Sequence, residues 1–192
     1  MRSKAFNPDD ALRGALERFW SHGYHGTNMP ELMAAMGITR GSFYGTFGSK
    51  IAAFTSAFET YLASVDRFGR RTVSGCAGRR EAVLQVLTGI LGLTQAEDGW
   101  RGCLIGNTAR EAVAREKDIQ VLLDRGMSVL CEIFDLALAL PEADAPDLDP
   151  GQRTTEALRL ATFLQGLLVA SRCGATEDDL TRLIAREVET LP

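Results

Sequence analysis

Histidine is scarce in this chain: His22 and His25 are its only two, and both lie near the N-terminal end. Imidazole acid–base chemistry and histidine-rich metal sites therefore have little to draw on. The four cysteines, Cys76, Cys103, Cys131 and Cys173, are far apart and form no CxxC pair. That spacing argues against a zinc site and against a disulfide framework, and a reduced, cytoplasmic setting is expected. Only six prolines occur and no low-complexity tract stands out, so long disorder is not expected. Long apolar runs are missing too. The charge-free run from Leu160 to Ser171 contains Thr162 and Gln165 and falls short of the roughly 18–20 apolar residues of a membrane span. Met1 to Asp10 is polar, with no secretory leader core after it. No stretch alternates apolar and polar residues in the manner of a strand.

What is present is an ordinary globular composition: 192 residues, 45% hydrophobic and 24% charged, enough to bury a real core. The formal net charge of -4 is unevenly spread. Residues 1–71 carry nine Lys/Arg against six Asp/Glu, and residues 72–192 carry twelve against nineteen. A weakly basic front on an acidic body suits a local anionic partner.

Helical signals run through nearly the whole sequence. Asn7-Pro8-Asp9-Asp10 reads as a helix start, with a capping side chain, proline at the first helical position and two carboxylates facing the positive helix end. Ala11, Leu12, Ala15, Leu16, Phe19 and Trp20 recur at helical spacing until Gly23 stops the helix. Thr27 or Asn28 opens a second short helix, with Glu31 in capping-box position after Asn28, ending at Gly37. Thr39 caps a third, ending near Phe47, and a longer fourth spans about Lys50 to Arg70. Helical patterns resume at about Arg79–Gln95, Cys103–Ala114, Lys117–Leu140, Gln152–Arg172 and Glu177–Glu189, with "PEADAPDLDP" as an acidic, proline-bounded loop. The expectation is an all-α fold of about nine helices.

Two short helices joined by a glycine turn make a helix-turn-helix. Met33, Met36, Ile38, Phe43 and Phe47 are spaced to pack it onto the first helix. Thr39, Arg40, Ser42 and Thr46 would then form the outer face of the second. Short side chains plus one arginine let a helix sit deep in a DNA major groove while Arg40 reaches a phosphate or a guanine edge. Gly41 allows close backbone approach, and Tyr44 offers a phenol to a phosphate. Lys50 starts the next helix, where charge and free N–H groups both favour phosphate. Thr27 is placed similarly at the second helix.

Residues 8–58 resemble the N-terminal domain of the tetracycline-repressor (TetR) family of bacterial regulators. The matching stretches are "ALERFWSHGYHGTNMPEL", "MAAMGITRGSFYGTFGSK" and "AAFTSAFETYL". The resemblance implies phosphate contacts from Thr27, Tyr44 and Lys50, and base or backbone contacts from Thr39, Arg40, Gly41, Ser42 and Thr46. It implies a DNA-binding domain over 1–48 and a ligand-binding and dimerisation domain over 49–192. Three positions depart from the usual pattern. Gly45 stands where a bulky aromatic or histidine is common, Thr46 where histidine is frequent, and Ile51 where glutamate is frequent.

Family members are homodimers, and this sequence supports one independently. Leu158, Leu160, Ala161, Phe163, Leu164, Leu167, Leu168 and Ala170 clothe almost the whole circumference of one helix, which must then be covered on both sides. Leu180, Leu183, Ile184 and Val188 on the last helix would complete a four-helix interface. The family's effector chamber implies Phe58, Tyr61, Leu62, Val65, Leu87, Leu91, Trp100, Cys103, Leu104, Asn107, Glu111, Met127, Cys131 and Phe134 as candidate lining. The lining is apolar and aromatic enough to suit a small hydrophobic effector.

The reading is a ligand-responsive regulator, a repressor, that binds double-stranded operator DNA and releases it when the effector binds. No cofactor, metal or catalytic group is expected. An alternative is a regulator that senses electrophiles or oxidants through Cys103, a thiol near Arg101 at an expected helix start; a small buried hydrophobe is the plainer account of the same residue. A small helical enzyme would need a convergent acid, base or nucleophile set, and Cys103 with Glu111 does not supply one.

Overall fold

The computed structural model describes residues 6–96, 99–143 and 145–192. Among them are nine α-helices, in chain order α1 Pro8–His22, α2 Met29–Met36, α3 Arg40–Thr46, α4 Lys50–Ser74, α5 Arg79–Leu93, α6 Leu104–Ala109, α7 Lys117–Leu138, α8 Pro150–Arg172 and α9 Glu177–Glu189. The fold is all-α. A two-residue hairpin, β1 Gln95–Ala96 with β2 Gly99–Trp100, follows α5. Strands so short leave no alternation to read. The stretch read as one helix from Cys103 to Ala114 is α6 followed by a 3-10 turn over Ala112–Arg115, with Glu111 in extended conformation between them.

The chain packs as two compact units, Met1–Ala63 with Leu104–Asp124, and Ser64–Cys103 with Arg125–Pro192. In the first, the head, polar caps set the helix ends. The Asn7 side chain accepts the Asp9 N–H at 2.9 Å. Asn28 and Glu31 form a reciprocal capping box, with the Glu31 N–H 3.0 Å from Asn28 Oδ1. Thr39 Oγ1 accepts the Ser42 N–H at 3.2 Å, and Ser49 Oγ accepts that of Ala52 at 3.2 Å. Each such cap is worth about 1 kcal/mol. Helices α1 and α2 cross backbone to backbone: a Cβ at Gly14 would lie 2.0 Å from the Ala35 carbonyl oxygen, so no other residue fits there. An aromatic chain holds the interior, with Phe19 edge-on to Phe54 at 5.0 Å, Phe54 to Phe58 at 5.8 Å and Trp20 to Tyr61 at 5.0 Å.

The second unit, the body, rests on long helices. Val83, Val86, Leu87 and Ile90 of α5, Ile133, Phe134 and Ala137 of α7, Leu160 and Leu164 of α8, and Leu180 and Ile184 of α9 are all buried. Each such branched or aromatic side chain contributes about 1.5–3 kcal/mol. Arg79 is fully buried among them. Its two terminal nitrogens donate to the Pro192 and Pro146 oxygens, both at 2.9 Å. Arg80 donates to the Leu191 carbonyl at 2.9 Å. These contacts tie the start of α5 to the loop before α8 and to residues 191–192.

Candidate nucleic-acid interface

Helix α3 is short and pinned by one side. Phe43 is fully buried, and its ring lies 5.7 Å from that of Phe47. The opposite side is open: Thr39, Arg40, Gly41, Gly45 and Thr46 are exposed, as is Tyr44 at 44%, while Ser42 is half-buried beside Thr39. The Arg40 guanidinium sits 5.6 Å from the Tyr44 ring centroid. That contact holds an otherwise mobile cation over a phenol that itself faces solvent. Neither Gly41 nor Gly45 has any atom within 4 Å of where a Cβ would stand, and neither has a positive φ. Nothing inside the protomer demands glycine at either position.

Lys50 opens α4. Its ammonium lies 4.3 Å above the Tyr24 ring, which in turn packs edge-on against Phe54 at 5.3 Å. Burial pushes the Lys50 pKa down, and the Glu111 carboxylate pulls it back up. Burial also raises the Tyr24 phenol, with Glu116 adding to it. Thr27 sits differently from the other DNA-contact candidates. It is fully buried, and its hydroxyl donates to the Gly23 carbonyl at 2.8 Å inside the α1–α2 turn.

The effector candidates divide between the units. Phe58, Tyr61, Leu62, Leu104, Asn107 and Glu111 belong to the head, and Val65, Leu87, Leu91, Trp100, Cys103, Met127, Cys131 and Phe134 to the body. Glu111 has both carboxylate oxygens engaged, accepting the N–H groups of Tyr24 and His25 at 3.1 Å each. No sequence signal marks that contact, because Tyr24 and Glu111 are 87 residues apart. In the body, Cys103 is buried, and the Gln165 amide donates toward its sulfur at 3.4 Å. Burial raises the Cys131 thiol pKa. An open cleft of about 420 Å³ lies elsewhere in the body, lined by Phe68, Arg71, Thr72, Cys76, Glu81 and Gln85. None of these was an effector candidate.

Of the interface candidates, Leu160, Leu164, Leu167, Leu168, Leu180 and Ile184 are already buried within the protomer. Phe163 and Val188 are half-buried, and Leu183 is 45% exposed. Leu158 and Val169 on α8 are 54% and 47% exposed, and the exposed Thr162 and Gly166 lie between them along that helix.

A capped helix pair with a bare second helix, carried on an all-α body, defines a helix-turn-helix protein. Residues 11–54 match the family model described as bacterial regulatory proteins, tetR family. That segment is a tetR-family N-terminal domain, and the chain is similar over its whole length to a TetR-family transcriptional regulator. It is 25% identical over 199 residues to the HTH-type transcriptional repressor ComR of Escherichia coli, covering 100% of this chain and 91% of ComR. It is 26% identical over 133 residues to the uncharacterised HTH-type regulator YezE of Bacillus subtilis, covering 69% of each. Among solved structures, a cysteine-substituted mutant of the TetR-family regulator CifR, complexed with 26-bp double-strand operator DNA, matches over 100% of both chains with 28% identity and a TM-score of 0.85. No described helix is long and apolar enough to cross a membrane.

Proposed function

We propose that this protein is a homodimeric, effector-responsive repressor that reads operator DNA with α3 and has no enzymatic activity of its own. The observation that carries the reading is the face of α3, where Thr39, Arg40, Tyr44 and Thr46 stand exposed around two bare glycines. The solved complex of CifR with operator DNA supports it. Residues 1–48 act as the DNA-binding domain and 49–192 as the effector and dimerisation domain. Arg40 takes a guanine edge or a phosphate, Tyr44 and Lys50 take phosphates, and Thr27 contributes by shaping the turn before α2.

The second copy covers α8 and α9. Side chains already buried in one protomer cannot add burial on pairing, so the contact falls to Leu158, Phe163, Val169, Leu183 and Val188. Thr162 and Gly166 permit close approach of α8 to its partner. Pairing sets two α3 helices to address successive major grooves, about 34–36 Å apart or somewhat farther. An effector that prefers a dimer with the two α3 helices misaligned lowers DNA affinity, and DNA lowers effector affinity by the same factor.

Gel shifts against the DNA flanking its own gene test the reading, with Arg40→Ala and Tyr44→Phe as probes. Arg40→Ala weakens binding by about 1–3 kcal/mol if it reads a base edge. Affinity also falls steeply as salt rises. Unchanged binding in both variants would sink the assignment of α3.

A second reading, sensing through Cys103, draws on the Gln165 amide beside its sulfur. Alkylation of Cys103 that abolishes DNA binding in the wild type, but not in Cys103→Ser, would establish it.

A further inference from the structure

We propose that Glu111 is a positioning residue for DNA binding: its carboxylate sets the α1–α2 turn and, through Tyr24, the shelf that carries the Lys50 ammonium. The proposal rests on the DNA-binding reading above and moves Glu111 out of the effector chamber.

The turn after α1 is built to receive a carboxylate. Gly23, at φ 72°, turns the chain so that the next two N–H groups, from Tyr24 and His25, point the same way. Successive N–H groups arranged like this form an anion-binding concavity. Glu111 fills it, one oxygen to each N–H, both at 3.1 Å. The fit is close enough that a Cβ on Gly23 would stand 2.7 Å from Glu111 Oε1. On its own side, Glu111 leaves the helical path, at φ −87° and ψ 156°, between α6 and the 3-10 turn.

Three further contacts carry the effect to the DNA-facing side of the same unit. The Tyr24 ring is stacked on Phe19, with centroids 6.2 Å apart. It meets Phe54 edge-on at 5.3 Å. Its face holds the Lys50 ammonium at 4.3 Å. Fixing the Tyr24 backbone therefore fixes the ring, and the ring fixes where Lys50 presents its charge. Thr27 is held in the same turn through the Gly23 carbonyl. A merely convenient surface carboxylate would contact one exposed amide; this one takes two in sequence, across 87 residues of chain from the first.

The test has a sign of its own. Simple electrostatics says that removing a carboxylate near Lys50 strengthens the pull on DNA. The positioning role says that it weakens binding. Wild type, Glu111→Gln and Glu111→Ala are titrated with a labelled duplex carrying the region upstream of its own gene, at several salt concentrations and at a temperature where far-UV circular dichroism shows all three folded. Glu111→Ala is expected to bind about tenfold more weakly, and the slope of log affinity against log salt to shrink by about one phosphate contact. Glu111→Gln, which keeps one acceptor oxygen, is expected to fall between the two.

Amide hydrogen exchange gives the second readout. Tyr24 and His25 should exchange at least about tenfold faster in Glu111→Ala, while amides within α1 keep their protection. Unchanged or tighter DNA binding by Glu111→Ala overturns the proposal, and so do unchanged Tyr24 and His25 amides. A wild type that retains no DNA even at low salt overturns the regulator reading itself, a failure visible before any substitution is made.

Discussion

Helices α3 and α8 both leave one side uncovered, and they differ in what they show. On α3 the exposed groups are hydroxyls, one guanidinium, one phenol and two bare glycines. On α8 they include Leu158 and Val169, with Thr162 and Gly166 between them. An apolar outer face gains by excluding water, and so suits a second protein surface. A face of short polar groups gains little from burial. It gains from hydrogen bonds and charge, and so suits a hydrated, anionic partner. The means of support differ as well. Polar caps and one buried phenylalanine fix α3, whereas α8 is fixed by packing along most of its length.

The largest test of this contrast is Leu158→Glu. Leu158 is 54% exposed in the protomer, so the chain should still fold. Sedimentation should show a monomer, and the loss of paired half-site binding should cut DNA affinity by about a hundredfold or more. A dimeric Leu158→Glu would break the contrast on the α8 side.

Arg79→Ala comes next. It removes a fully buried side chain and the donor to the Pro146 oxygen, and leaves a cavity in the body. A cost of about 3 kcal/mol is expected in urea melts, with Tyr24 and His25 amide exchange at low denaturant unchanged. An equal loss of protection in the head would show that the two units do not unfold separately.

Gly45→Ala sharpens the α3 side. Alanine is favoured over glycine in a helix by about 1 kcal/mol, and the position is open, so the melting temperature should rise. DNA affinity should fall, because the added methyl group stands on the face proposed to meet the duplex. Tighter DNA binding would mean that the bare face serves no partner.

The smallest effect concerns pH. The Thr176 hydroxyl, with Arg182, holds the Asp179 carboxyl down from 3.8 to about 2. A depressed carboxylate supports the folded state above its ordinary range, and that support is lost as pH falls from near 3.8 through about 2. Amide exchange should show the first turn of α9 fraying over that window, before α8 responds.

Local chemistry made much of the head readable in advance. Asn7-Pro8, Asn28 with Glu31, Thr39, Gly23 and Gly37 act within a few residues, and the helices begin and end where those signals stand. Exposed Arg40 and Tyr44 likewise follow from the short period of α3 around Phe43. Long-range partners were out of reach. Nothing near Glu111 announces Tyr24, and nothing near Arg79 announces Pro146. The break of Cys103–Ala114 at Glu111 has the same origin: a tertiary contact draws that residue out of a helical pattern the local sequence would continue. Thr27 was legible as a residue at the start of α2 and read there as a phosphate contact, but whether its hydroxyl pointed outward or back to Gly23 depended on how the turn closed.

The two tryptophans of the chain have a practical consequence. Trp20 lies in the head, edge-on to Tyr61, and Trp100 lies on the second strand of the body hairpin. Each compact unit thus carries its own intrinsic fluorophore. With Trp100→Phe or Trp20→Phe, emission from the remaining indole reports on one unit alone, so melting of the head and of the body can be followed separately without any attached label.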